Sequence, residues 1–212
     1  MCRIDSCRAG AQTLAETEIP LFLLNVVLHS GGRMELRVFE PRYMDMVKDC
    51  LRANTPFGVC LLAQGSEVAT PESGAGVPPQ VPHRVGTLAR IADWDMPQLG
   101  ILNIVVHGGA RFRVIEHRTL ADGLVRATVE LLPDPPVKPI PGDFARLVPM
   151  LRALIEALED PPPQPFRFYD AAWVADRWAE ILPLPMARRQ EILELDDGVA
   201  RLDAIYRFLE EN

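Results

Sequence analysis

The chain has 212 residues, a net charge of −7 at pH 7 and 48% hydrophobic residues, enough for a packed core and too many for intrinsic disorder. The acidic balance disfavours nucleic acid and anionic membrane as partners, because both select a basic face. No apolar run reaches the roughly 18 residues of a transmembrane helix, and the start, MCRIDSCRAGAQTLAETE, lacks the apolar centre of a secretory signal.

Residues 1–18 read as a mobile leader, and the half that follows reads as β. PLFLL (20–24) is a short apolar run. MELRVF (34–39) alternates, with Met34, Leu36 and Val38 on one face and Glu35 and Arg37 on the other. Pro41 then opens an amphipathic helix, where its missing N–H costs nothing. The apolar positions Tyr43, Met46, Val47, Cys50 and Leu51 recur at helical spacing. PFGVCLL (56–62) is apolar on both faces and predicts a buried strand. Residues 63–83 have turn-forming composition and predict a long loop, either functional or mobile. LGILNIVV (99–106) is a further buried strand, and His107-Gly108-Gly109-Ala110 predicts a tight hairpin turn after it. RFRVIEHRTL returns, with Phe112 and Val114 on one face and Arg111 and Arg113 on the other. Asp122-Gly123 predicts a second hairpin, and LVRATVEL then points Val125, Ala127, Val129 and Leu131 inward. Short antiparallel strands in series predict a barrel or sandwich.

LPDPPVKPIPG (132–142) is a proline-rich, extended joint. Beyond it the period becomes helical. Phe144, Leu147, Val148, Leu151, Leu154, Ile155 and Leu158 form one stripe, in which Pro149 predicts a kink or a late start. YDAAWVADRWAEIL carries Trp173 and Trp178 on a second helix, as core residues. PLPMARRQEILEL starts a third after Pro185. Asp196 or Asp197 caps a fourth, with the face Val199, Leu202, Ile205, Tyr206 and Leu209. The fold class expected is α+β: an antiparallel barrel with one inserted helix over 19–134, a linker over 135–142 and a helical bundle over 143–212.

Catalytic motifs are missing. There is no P-loop, no G-x-S-x-G elbow, no H-E-x-x-H and no G-x-G-x-x-G. Four scattered serines and two lysines, Lys48 and Lys138, supply a serine–lysine nucleophile poorly. Cys50 and Cys60 read as small core residues. Cys2 and Cys7 with four dispersed histidines make no metal site, so neither a metal nor a cofactor is expected. The thiols read as reduced and the chain as cytoplasmic. Asp93 and Asp95, around Trp94, would share a strand face and form the best acid–base pair, against the plainer reading of solvated carboxylates. Arg111, Arg113 and Arg126 form an outer stripe that suits a carboxylate or phosphate, or that pairs with Glu116 and Glu130.

Several ordered motifs resemble the N-terminal domain of the ATP-dependent Lon protease over roughly 19–210. They are E-P-R-Y (Glu40 to Tyr43), F-G-V (Phe57 to Val59), V-G-T (Val85 to Thr87), G-x-R-F-R-V (Gly109 to Val114) and LPLPMARRQEILEL. Two departures stand out: Leu28-His29-Ser30 replaces the end of the family's L-F-P stretch, and MPQLGIL (96–102) replaces its L-P-D-G-R-Y. The resemblance implies a PUA-like pseudobarrel followed by a helical subdomain. It implies a stand-alone substrate-binding module that takes unfolded or apolar segments, with a protease partner in view and a homodimer left open. The ATPase and peptidase modules of Lon are not expected, and no enzymatic activity with them. Phe39, Tyr43, Trp94 and Met96 are the candidate peptide-binding residues. Glu40, Pro41, Arg42, Gly58, Gly86, Arg111 and Phe112 are the candidate structural residues of the family motifs. Glu40 or Arg42 is expected to form a charge-assisted hydrogen bond at the strand–helix joint, with Arg111 the first partner for Glu40. A PUA-like small-molecule or RNA module is the alternative, and a hydrolase built on Asp93 and Asp95 a third.

Overall fold

The computed structural model of the chain describes residues 16–65 and 80–211. Cys2, Cys7 and residues 66–79 of the predicted loop lie outside them. Eight elements precede the linker: β1 (Glu16–Leu24), β2 (Arg33–Val38), α1 (Pro41–Ala53), β3 (Phe57–Gln64), β4 (Val81–Pro82), β5 (Val85–Gln98), β6 (Ile101–Thr119) and β7 (Val125–Leu131). A 3-10 turn (Gly142–Phe144) and four helices follow: α2 (Leu147–Ala157), α3 (Ala171–Ile181), α4 (Met186–Glu194) and α5 (Gly198–Glu211). β1 starts inside the stretch read as leader, since Glu16–Glu18 already pair with β7.

β1 pairs antiparallel with β7 and parallel with β3, so β1, β7, β6, β5 and β3 close into a ring. Closure removes the exposed edges an open sheet would present. β1 is buried on both faces, with Leu21 and Leu23 in the barrel interior and Phe22 and Leu24 in a second core beneath α1. The helix takes Tyr43, Met46, Val47 and Cys50 into that second core, and Phe22 stacks on Tyr43 at 4.0 Å between ring centres. Leu51, assigned to the same stripe, lies at the exposed margin.

The predicted turn at His107–Ala110 does not exist. β6 runs unbroken through it for 19 residues. Gly108 serves close approach instead: its N–H donates to Gly32 O at 2.9 Å, and a Cβ there would lie 2.1 Å from His29 O. Gly109 sits where the β5–β6 register shifts between Thr87 and Ala89. The reversal comes earlier, at Leu99-Gly100, where Gly100 takes a φ of 86°. The second predicted hairpin is present: Asp122 Oδ1 accepts from Leu124 N–H, and Gly123 has a φ of 85°. Val125, Ala127 and Val129 point inward, but Leu131 is 38% exposed and Leu132 is buried in its place.

In the helical half, Pro149 lies in the first turn of α2, where N–H groups have no intrahelical acceptor, so the helix simply starts late. Leu147, Leu151 and Ile155 are buried, whereas Leu154 and Leu158 are exposed. Trp173 and Trp178 belong to the bundle core. Asp197 caps α5, its Oδ1 accepting from Val199 and Ala200 N–H.

Candidate functional site

Near its start β6 carries strands on both sides and forms the middle of a three-stranded arm. β2 pairs with residues 102–107 of β6, and the outer half of β5 pairs with the other side. Gly108 N–H bonds Gly32 O, which fixes the hydrogen-bonded pairs at Met34, Leu36 and Val38. The N–H and C=O groups of Arg33, Glu35 and Arg37 therefore point outward, along an edge no strand pairs among the described residues.

Large apolar side chains are exposed around this arm. Trp94 is 54% exposed, Phe39 53% and Met96 41%. Leu99, at the tip between β5 and β6, is 97% exposed and was not singled out from the sequence. Trp94 lies in register with Ile104 and Ile104 with Leu36, but Ile104 is buried and Leu36 packs against the same core, so Trp94 is the exposed end of a core-facing row. Phe39 borders a cleft of about 160 Å³ with Phe22, Leu24, Leu36 and Tyr43. Tyr43 itself is 3% exposed and stacked in the core. Helical spacing turned it inward, and it reaches the surface only as part of the wall of that cleft.

Asp93 and Asp95 do share a face, beside Val105 and Asn103, with Glu35 and Arg37 one strand further. Both border an open cleft of about 480 Å³ whose lining includes no histidine, serine or cysteine. Neither carboxylate is brought to a nucleophile or base there. Among the described residues no group of three or more His, Cys, Asp and Glu could hold a metal.

The charged pair of the E-P-R-Y motif closes on itself. Glu40 Oε2 accepts from Arg42 Nε at 3.1 Å, and Arg42 also donates to Gly123 O at 2.7 Å and to Gln80. That confirms a latch at the strand–helix joint and corrects its partner. Arg111 lies elsewhere, 1% exposed beneath the helical half, where it donates to Leu193 O, Leu195 O and Asp196. It is no part of an outer stripe. Arg113 pairs with Glu130 and Arg126 with Glu18, so these two are solvated-face pairs.

Arg111 is one member of a buried polar seam between barrel and bundle that the sequence did not announce. Arg201 bonds Asp176 at 2.7 Å and Leu195 O at 2.9 Å, and His29 Nδ1 lies 3.4 Å from Asp176. Arg177 donates to Gly31 O and Ser30 O, and Gln190 to Val85 O. Burial pushes the Asp176 carboxyl up, but Arg201, His29 and Arg177 outweigh it and hold the group below its ordinary value. Burial raises the Glu180 carboxyl despite its pairing with Arg177.

The family model of the ATP-dependent protease La (LON) substrate-binding domain matches residues 18–211. The chain belongs to the Lon substrate-binding domain family. It is also similar to the crystal structure of a Lon N-terminal domain protein from Xanthomonas campestris, at 34% identity and a TM-score of 0.73, over 90% of this chain and 98% of that one. The N-terminal domain of the Mycobacterium avium complex Lon protease shares the fold, at 13% identity and a TM-score of 0.56 over 92% of this chain and all of that one. No curated protein sequence matches.

The Lon motifs thus acquire physical reasons. F-G-V and V-G-T place Gly58 and Gly86 against the Phe112 ring, and a Cβ at either would lie within 2.7 Å of Phe112 Cζ. G-x-R-F supplies that ring and, one residue earlier, the arginine that reaches the bundle on the opposite face. The motifs of the Lon domain mark its packing, while the exposed residues of the arm lie outside them.

Proposed function

We propose that this chain is a non-catalytic module that binds unfolded or apolar segments of client proteins. The site is the β2–β6–β5 arm. An extended segment adds to the free edge of β2, bonding the outward groups of Arg33, Glu35 and Arg37 and meeting Phe39 at the end of that strand; Trp94 and Met96, on β5 across β6 from this edge, and Leu99 at the tip extend the apolar contact for the rest of the client. The observation that carries this reading is a three-stranded arm that carries both large, exposed apolar side chains and an unpaired strand edge, the features used in binding by strand addition. The family match to a substrate-binding domain supports it. The module acts in the cytoplasm as an adaptor that hands clients to an ATP-dependent protease, with no ATPase or peptidase activity of its own. RNA is disfavoured by the net charge of −7.

The test measures fluorescence anisotropy of labelled, reduced and unfolded proteins against the purified chain. Trp94→Ala/Met96→Ala should lose about tenfold in affinity, the scale of a lost aromatic anchor. Glu35→Pro should do the same without loss of stability, because the N–H it removes points away from β6. Binding no better than that of an unrelated acidic protein would refute the proposal.

A further inference from the structure

At the far end of β6 from the arm lies a cavity of about 650 Å³, between α1, β1, β7 and the hairpin at 120–124. Nothing in the sequence pointed to it. Its floor is apolar, built from Ile19, Met46, Leu88, Leu124 and Val129. Methionine on such a floor lets it adapt to side chains of different shape. The rim is unbalanced: Glu18, Asp45, Asp49 and Asp122 carry four negative charges against the guanidiniums of Arg42 and Arg126. Arg126, together with Arg118, neutralises Glu18, and Arg42 is held by Glu40 and the Gly123 carbonyl, so Asp45, Asp49 and Asp122 are the rim charges that neither cation answers. Among the described residues, Asp45 and Asp49 are held by Lys48 and Arg52, through exposed pairs one turn along the helix. Pairs of that kind are weak and are exchanged readily for another cation.

We infer that this cavity is a second client subsite, selective for a large aliphatic or aromatic side chain flanked by lysine or arginine. The apolar side chain fills the floor, and the flanking cation meets Asp45 and Asp49. The volume lies in the range of ordinary ligand sites, which combine an apolar lining with a few placed polar groups. The inference rests on the client-binding reading above but adds a place and a charge preference. The arm supplies backbone pairing and apolar contact; the cavity discriminates among clients by the charge beside their apolar residues.

The experiment compares four labelled peptides, identical except for a central Leu or Ser and for Arg or Glu flanks, on the wild-type chain and three variants. Asp45→Asn/Asp49→Asn removes the rim charge, Ala53→Trp obstructs the mouth from an exposed position, and Trp94→Ala weakens the arm. All are first checked by thermal melting for an unchanged fold. The Leu peptide with Arg flanks should bind tightest. The double aspartate variant should weaken it about three- to tenfold, the loss expected for two exposed charge contacts, and leave the Glu-flanked peptide unchanged. Ala53→Trp should abolish the preference for Leu with Arg flanks. Equal affinity for Arg and Glu flanks overturns the subsite. So does a preference that survives Ala53→Trp while Trp94→Ala removes all binding, and in that case the arm still stands as the client site. Failure of every peptide and of unfolded proteins overturns the client reading itself.

Discussion

Replacing Arg111 by alanine should uncouple the two halves of the molecule. The guanidinium is buried, and its bonds to Leu193 O (2.9 Å) and Leu195 O (3.2 Å) run from β6 into the end of α4 and the turn that follows. A net charge-assisted bond contributes about 1.5–3 kcal/mol. Three features reduce the sum. Asp196 is 73% exposed, so its pairing with Arg111 counts for little. Leu195 O keeps a donor in Arg201 Nε at 2.9 Å. Arg111 and Arg201 also repel: burial first, and then the neighbouring Arg201, hold the Arg111 guanidinium below its ordinary value. What remains is one carbonyl, Leu193 O, losing its good donor, plus the space the side chain leaves. The expected cost is about 2–4 kcal/mol. Arg111→Met, which refills that space without a donor, should recover about 1 kcal/mol of it. Urea unfolding followed by tryptophan fluorescence in a Trp94→Phe background reports the bundle, since the two remaining tryptophans, Trp173 and Trp178, both lie on α3; far-UV circular dichroism reports both halves. The wild type should unfold in one transition by both probes, and Arg111→Ala earlier, with the probes no longer coincident. A change below about 0.5 kcal/mol with coincident transitions would show that the seam is not held by this residue.

Gly108→Ala should cost several times more than Gly109→Ala, because the new Cβ meets His29 O at 2.1 Å in the first and nothing nearer than 3.4 Å in the second; chemical denaturation of both checks it. Asp176, whose carboxyl is held below 3.8, contributes stability that is fully present above that value and lost as pH falls through the depressed one. Urea midpoints should therefore drop below about pH 4 in the wild type, and Asp176→Asn should lower the midpoint already at pH 7 while flattening that drop. Asp197→Ala removes the two N-terminal bonds of α5 and should cost about 1 kcal/mol by the same assay.

Much of the fold was legible because it rests on local rules. Pro41 and the spacing of Tyr43, Met46, Val47 and Cys50 define α1, and the buried positions follow the helical period. Asp122-Gly123 and Asp197 are a turn and a cap whose chemistry is complete within a few residues. Gly108-Gly109 misled because a glycine pair serves either a positive φ or a close approach, and only the partner decides which. Here the partner is the backbone at His29, nearly 80 positions earlier. Arg111 misled for the same reason: alternation assigned it an outer face, and that face is covered by a helical half that begins more than 30 residues later, at Gly142. Of the candidate residues, Phe39, Trp94 and Met96 stand out in the sequence as aromatic and methionine side chains near the barrel mouth, but their exposure was not readable, and Tyr43 of the same type is core.

The sequence by itself determined the class of the molecule: where strands give way to helices, which faces are apolar, and, through E-P-R-Y, F-G-V, V-G-T and G-x-R-F, the family it belongs to. Those signals are local, carried by period, turn chemistry and the identity of a few packed residues. The tertiary structure alone decided which strand edge stays unpaired, which arginine is buried, and where α1 leaves a cavity against the barrel. Each of these depends on what a distant segment covers or fails to cover, and burial is a property of that pairing rather than of the residue.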